Sequence, residues 1–427
     1  MKAEAIRDVY QSVMQFNQNR DARFLPTKYK LMASSAFRFF RGSCHLFYQD
    51  LVQNQTWEDK TQIWICGDLH LENFGSYKSD HDVIYFDLND FDEAVLAHPS
   101  WDVSRFICSI FLEGKELNLA ESFVQNSTEL VLTAYIEALQ AGKAYAVEKE
   151  SIDGIIKKYI KAVSERDPIE FLNSKSVLSG KNQRTLFIDN KKFFALEDQA
   201  LRQDLINNFQ NCLNAANKQQ VDKQQVDKQQ VDKQQVDKQQ IDKYQVLDVA
   251  IRVAGTGSIG LNRYVFLLFD QILQDYSFFD VKQAQPSSLT LTPYLQNLQP
   301  KWQNQAERIQ TIQNYMQYIV PAHLSSFSFH NEMYIVKQLQ PEQDKIAFKD
   351  YIDKPHKIVE AWQSMARLIA SAQIRSAGRN GSDNIDALIR FATQSENWKA
   401  LLQEYAYNYA QQVLQDYDHF CQAYAQQ

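Results

Sequence analysis

Apolar positions recur at helical spacing near the amino terminus, where Ala5, Ile6, Val9, Tyr10, Val13 and Met14 would share one face. A second helix is expected over residues 32–51, carrying the run Phe37-Arg38-Phe39-Phe40-Arg41-Gly42. The pattern then changes. Two short apolar runs, 63–66 and 83–86, are separated by glycine, asparagine, serine and aspartate, which predicts strand, loop, strand in the manner of a hairpin. Pro99-Ser100-Trp101-Asp102 reads as a helix start with a proline and an acid in its first turn. Further helices are expected as far as residue 164, then a hairpin over 185–196 around Asp189, Asn190 and Lys191, then a helix over 198–216.

From residue 218 to 243 the chain repeats KQQVD, the last copy as KQQID. A period of five does not match 3.6 residues per turn, so the valines precess around a helix and build no apolar stripe. Glutamine and lysine still favour helix, which leaves an exposed helix and a linker both open. The repeat reads as an expansion inside a loop, without chemistry of its own, and it marks a boundary. Beyond it, strands are expected over 246–254, 263–269 and 278–282, a helix over 301–319, a strand over 332–339, and helix from about 345 to the end. The expected organisation is therefore α+β: a helical lobe with an acidic hairpin (1–217), the repeat (218–243), a β-rich lobe (244–344) and a helical region (345–427).

Composition narrows the function. An apolar fraction of 44% with 26 Phe and 21 Tyr supplies a large core. A formal net charge of −7 argues against a general nucleic-acid binder. The five cysteines (Cys44, Cys66, Cys108, Cys212, Cys421) are scattered and lack CxxC spacing, which argues for reduced thiols and against structural zinc. No apolar run approaches membrane-span length and the first residues hold no signal-like segment, so a soluble cytoplasmic protein without a membrane partner is expected.

Three motifs carry chemistry. The first is Asp68-x-x-x-x-Asn73, followed after the second apolar run by Asp87, Asp90 and Asp92. An aspartate and an asparagine at this spacing match the loop in which a kinase aspartate accepts the substrate hydroxyl proton and the asparagine holds a metal. Oxygen ligands of this kind suit Mg²⁺, with Asp87 and Asp90 both open as the further ligand. The second is the loop Gly255-x-Gly257-Ser258-x-Gly260, flanked by strands, which is how kinases cover nucleotide phosphates and unlike a dinucleotide fingerprint. The third is Lys282 on the following strand, positioned to reach nucleotide phosphates, with Glu307 on the next helix as its expected partner. Asp102 has two readings, a helix-start acid or a buried buttress for the Asp68 loop. His70 is expected to be structural. Arg38 and Arg41, inside an aromatic run, either snorkel to solvent or meet an anion.

These residues also carry a resemblance. Cys66-Gly67-Asp68-Leu69-His70-Leu71-Glu72-Asn73-Phe74-Gly75, Phe86-Asp87-Leu88-Asn89-Asp90-Phe91-Asp92-Glu93 and Trp101-Asp102 resemble the signature of the bacterial domain-of-unknown-function 2252 family. So do Phe39-Phe40-Arg41-Gly42, residues 255–260, Val281-Lys282-Gln283-Ala284 and Tyr334-Ile335-Val336-Lys337-Gln338-Leu339, which together span nearly the whole chain outside the repeat. Gln373 stands where that resemblance leads one to expect histidine. The family has no settled activity to carry over. The central stretch is also similar to aminoglycoside and choline-type kinases, whose loop reads HGDxxxxN, with Cys66 here in place of the usual histidine. In those kinases the glycine loop and lysine precede the catalytic loop, whereas here they follow it by nearly two hundred residues. The resemblance thus implies a two-lobed, circularly permuted kinase-like fold that binds ATP and Mg²⁺ and phosphorylates an unidentified small-molecule or other hydroxyl acceptor. Two alternatives are a kinase-like module that binds nucleotide without turnover, and a metal-dependent phosphoesterase opened by Asp68-Leu69-His70. The latter needs later histidines, for which His330 is a poor fit.

Overall fold

The computed structural model describes residues 7–179, 183–228, 243–339 and 346–426, with side chains from 219 to 228 left undescribed. Helix α1 (Val9–Phe16) starts at Asp8, whose carboxylate accepts the Gln11 N–H. Helix α2 (Leu25–Met32) precedes the stretch 32–51, and the single helix expected there is two, α3 (Ala36–Gly42) and α4 (Cys44–Asn54). Serines make the breaks. Ser35 is extended and caps α3 by accepting the Arg38 N–H, and Ser43 leaves helical geometry between α3 and α4.

Next come β1 (Ile63–Ile65), a tight turn at Leu71–Asn73, β2 (Phe74–Lys78), β3 (Ile84–Leu88) and β4 (Val95–Ala97). The two apolar runs read as one hairpin are not partners. β1 pairs with β4, Trp64 opposite Leu96, while β3 pairs with β2, Phe86 opposite Ser76. The second run takes the strand nearest to it in sequence, through a short turn in which Asp82 holds φ 61°. β1 is buried on both faces and closes against the segment that follows the acids.

Helix α5 (Pro99–Glu116) is buried along most of its length and is followed by α6 (Glu121–Ala141), α7 (Gly154–Ser164) and α8 (Pro168–Lys175). Strand β5 (Ser176–Leu178) pairs with β6 (Arg184–Leu186), whereas β7 (Phe193–Phe194) pairs with β8 (Tyr244–Arg252). The hairpin expected over 185–196 therefore does not form. Asp189 instead accepts the N–H groups of Lys191, Lys192 and Phe193, which turns the chain out of β6 and into the larger sheet. Helix α9 (Gln199–Lys228) continues into the repeat rather than stopping before it. That part of the repeat is helix, as its propensity allows; residues 229–242 lie outside the described residues.

The chain then forms β9 (Arg263–Asp270), β10 (Asp275–Gln283), α10 (Pro293–Leu298), α11 (Gln305–Met316), β11 (Ser325–Phe329) and β12 (Glu332–Gln338). Helices α12 (Pro355–Ser376), α13 (Ile385–Thr393) and α14 (Lys399–Tyr424) complete it. The sheet has six antiparallel strands in the order β11-β12-β10-β9-β8-β7. Strand β11 had no counterpart in the sequence reading. Phe327 and Phe329 alternate there with serines, a two-residue period too short to stand out. The fold is thus mixed α+β with helix predominating.

One large apolar cluster runs from Val9 to Phe420 through the helices and includes Ala306, Ile309, Ile312 and Met316 of α11. The sheet has its own clusters, the larger of which sets Phe209 of α9 against Phe266 with ring centroids 4.2 Å apart. Helix α11 joins the two. Its buried Arg308 donates to the carbonyls of Asp92 (2.7 Å), Gln285 (2.9 Å) and Ala94, fixing the acidic segment after β3 to the segment after β10.

Replacing Arg308 strands the buried Ala94 carbonyl and takes a donor from the part-buried carbonyls of Asp92 and Gln285. A buried carbonyl left unpaired costs on the order of 1–3 kcal/mol and part-buried ones less. Urea unfolding of Arg308→Met is expected to lose roughly 2 kcal/mol or more, with partial recovery in Arg308→Lys. A loss below ~1 kcal/mol would contradict this joint.

Candidate functional site

A cavity of about 890 Å³ separates the helical part from the sheet. Asp68, His70, Asn73, Asp90 and Asp92 lie on one wall, and Gly255, Gly257, Ser258, Gly260 and Lys282 on the other. Side chains nearly two hundred residues apart in sequence therefore share one cleft.

The Asp68 loop is built on helix α5. Asp102, fully buried in the first turn, accepts the Cys66 N–H at 2.8 Å and the Gly67 N–H at 2.9 Å, one on each carboxylate oxygen. Gly67 holds φ 82°, and a Cβ there would lie 2.3 Å from the Glu93 carbonyl oxygen, so only glycine fits. One turn along α5, the fully buried Arg105 donates to Asp68 Oδ1 from Nε (2.9 Å) and Nη2 (2.5 Å). Its guanidinium also stacks over the Phe40 ring at 3.9 Å. Asp68 Oδ1 is thus occupied. Oδ2 faces the glycine loop, where a Cβ on Gly257 would come within 3.9 Å of it. Burial pushes the Asp68 carboxyl above its ordinary value although Arg105 opposes the shift. Burial likewise raises Asp102 to about 7 against its two N–H donors.

Asn73 ties this loop to the acids beyond the β2–β3 hairpin. Its Nδ2 donates to the Asp68 carbonyl at 3.0 Å and the Asp90 carbonyl at 3.4 Å, and its own carbonyl accepts the Asn89 N–H. Asp90 and Asp87 now separate. Asp87 points into the core, where it accepts from Arg375 (3.1 Å) and the Leu88 N–H (2.9 Å) and does not line the cleft. The metal-ligand role considered for Asp87 is therefore replaced by a buried ion pair. Asp90 lies on the cleft with its side chain 49% exposed, and burial is outweighed there by Lys282 and Lys337, which hold its carboxyl below the ordinary value. Among the described residues no three His, Cys, Asp or Glu side chains form a metal cluster by themselves. Asp90 and the Asn73 amide are oxygen donors of the type Mg²⁺ takes when phosphate oxygens and water fill its remaining positions.

The glycine loop is fastened by the amino-terminal segment. Buried Lys28 donates to the Thr256 and Gly257 carbonyls, each at 2.9 Å, and Arg20 to those of Gly257 (2.5 Å) and Ile259 (2.8 Å). Gly260 holds φ 89°, with a Cβ there only 2.8 Å from Arg20 Cβ. Lys282 does not meet Glu307. It pairs with Asp92, with Asp90 at 3.9 Å. Glu307 sits in the first turn of α11, accepts the Gln303 N–H at 2.5 Å and gives its own N–H to the capping Asn304. Helix capping consumes this carboxylate.

Arg41 lines the cleft, paired with Glu72 and donating to His70 at 3.2 Å, whereas Arg38 does not line it. His70 is nearly buried and packs against Phe37. Gln373 is buried away from the cleft, accepting from Tyr135 and donating to the Pro99 carbonyl. Sequence reasoning gave no role to Arg105, Lys28, Arg20 or Asp92. Arg105 had a readable signal, since it follows Asp102 by three positions and so shares its helix face. Lys28 and Arg20 had none, because their partners are backbone carbonyls far along the chain.

The profile of a family described as "Uncharacterized protein conserved in bacteria (DUF2252)" matches residues 20–423. No curated protein and no solved structure matches the chain.

Asp102 supplies a pH test. Its folded pKa, about 7, exceeds the unfolded value near ~3.9, so the folded state holds this proton more tightly. The associated stability is full below about pH 4 and is lost as pH rises through 7. Asp102→Asn removes the titration and turns an N–H donor toward one of the two loop N–H groups. Wild type is expected to exceed Asp102→Asn in Tm at pH 5, and to exceed it by several degrees less at pH 8, measured by scanning fluorimetry. A Tm difference independent of pH would contradict the assignment.

Proposed function

The chain belongs to the uncharacterised bacterial DUF2252 family, and for this member of it we propose an ATP- and Mg²⁺-dependent phosphotransferase of permuted kinase-like fold. The observation that carries the reading is the convergence of Asp68, Asn73, Asp90, the 255–260 loop and Lys282 on one cleft. The polar wall suits a phosphate ester better than an apolar ligand. The strand–loop–strand arrangement of β8 and β9, with Lys282 on β10, and the hairpin carrying the chain from Asn73 to Asp90 follow the kinase parts in permuted order.

In this reading Asp68 Oδ2 accepts the proton of an acceptor hydroxyl while Arg105 fixes the other oxygen. The acceptor oxygen forms a bond to the γ-phosphorus, the bond from that phosphorus to the β–γ bridging oxygen breaks, and ADP leaves. Lys282 exchanges Asp92 for phosphate oxygens, and the glycine loop covers the phosphates. Asn73 and Asp90 would hold Mg²⁺, which when bound neutralises phosphate charge. Phosphoryl transfer relies mainly on positioning and charge neutralisation, and this set supplies both. The acceptor remains a small molecule or other hydroxyl compound of unassigned structure.

Of the alternatives, the phosphoesterase has the weaker support. His330 lies in the β11–β12 turn, 2.8 Å from Asp204, and does not line the cleft. The non-catalytic nucleotide-binding module shares every binding residue and differs only in turnover.

Slow MgATP hydrolysis without acceptor is the test. Wild type is expected to release ADP, and Asp68→Asn to lose about 100-fold or more of that rate while still binding MgATP. Binding without turnover in wild type would favour the non-catalytic module. Equal rates in the two proteins would remove Asp68 from the chemistry.

A further inference from the structure

The sheet face that looks into the cleft carries an unusual row of charges. Lys282 lies opposite Arg263 on β9 and Ile335 on β12, and Asp280 lies opposite Lys337 on β12. Arg252 of β8 and Arg263 both donate to Asp280, at 3.1 and 2.8 Å. Partners directly across antiparallel strands share a face, so these side chains stand on one surface, and all of them line the cavity. Asp280 is saturated by its two arginines, which outweigh burial and hold its carboxyl well below the usual range. Lys282 is held by Asp92.

Lys337 differs. Among the described residues its ammonium makes no hydrogen bond and no ion pair, and its nearest acids, Asp90, Asp92 and Asp280, act on it from beyond contact. Burial pushes its pKa down. A cation drawn partly out of water without a contacting partner is costly, and an anionic ligand would offset that cost. Lysine provides it as a point charge with three donors, a common phosphate contact. On the sheet Lys337 is the diagonal neighbour of Lys282, at a spacing of about 7–8 Å for such pairs, which lets two ammonium groups grip one anionic chain.

We propose that Lys337 is a phosphate-binding residue, forming with Lys282 a two-lysine track for a polyphosphate or phosphate ester along the cleft face of the sheet. This extends the nucleotide reading of the cleft. The phosphate comes either from the nucleotide's own triphosphate or from a phosphorylated acceptor.

Calorimetric titration with inorganic tripolyphosphate, inorganic phosphate and ATP, each with Mg²⁺, tests it on wild type, Lys337→Met and Lys337→Arg, with Tm as a check on folding. Lys337→Met is expected to lose about tenfold or more in tripolyphosphate affinity, and Lys337→Arg to stay within about threefold of wild type. A parallel loss for ATP assigns the phosphate to the nucleotide. Loss for the inorganic probes with ATP unchanged assigns it to the acceptor. Lys337-dependent tripolyphosphate binding in a wild type that binds no ATP would remove the nucleotide reading and keep this one. The inference is overturned if wild type binds no tripolyphosphate, or if Lys337→Met binds both inorganic probes as wild type does.

Discussion

The buried carboxylate of Asp102 is the contact on which the cleft depends. A fully desolvated acid is expensive, and here it is retained because the Cys66 and Gly67 N–H groups have no other partner among the described residues. Those two bonds force the chain to leave β1 through a left-handed glycine, which in turn directs Asp68 toward the cavity. Arg105, one helical turn on, then takes one oxygen of Asp68. Two residues of a single buried helix thus set both the backbone and the side chain of the central aspartate. A site on a rigid helix is held more accurately than one on free loops.

The opposite wall is organised by charge rather than by packing. Arg308 ties the acidic segment to the sheet, Lys28 and Arg20 hold the glycine loop by its carbonyls, and Lys282 is neutralised by Asp92. Asp90 and Asp92 lie beside Lys282 and Lys337, so each charge is partly compensated by groups that a phosphate or a cation would replace.

Much of this was legible in the sequence where chemistry and spacing coincide. Asp68, Asn73, the glycine loop and Lys282 are named by local patterns, and the structure gathers them in one cleft. What local pattern could not supply was pairing. The runs 83–86 and 63–66 suggest each other as partners because both are apolar, whereas the nearer strand β2, with its Gly75 and Ser76, gives no strong hydrophobic signal. Analogy of order points from Lys282 to Glu307, but an acid three residues after the capping Asn304 is also a capping residue, and capping prevails. Asp87 and Asp90 could not be told apart from spacing, since the distinction is which side of β3 faces Arg375. Lys28 and Arg20 depend on contacts with backbone more than two hundred residues away.

The central claim is that both walls bind one Mg²⁺–nucleotide. Its most direct measurement is calorimetric titration of ATP, with and without Mg²⁺, into wild type, Lys282→Met and Asp90→Asn. The account predicts Mg²⁺-dependent binding in wild type and a loss of about tenfold or more in Lys282→Met. It also predicts that Asp90→Asn binds ATP with little remaining response to Mg²⁺. ATP binding that neither substitution alters, or no binding at millimolar ATP with Mg²⁺ present, would contradict it.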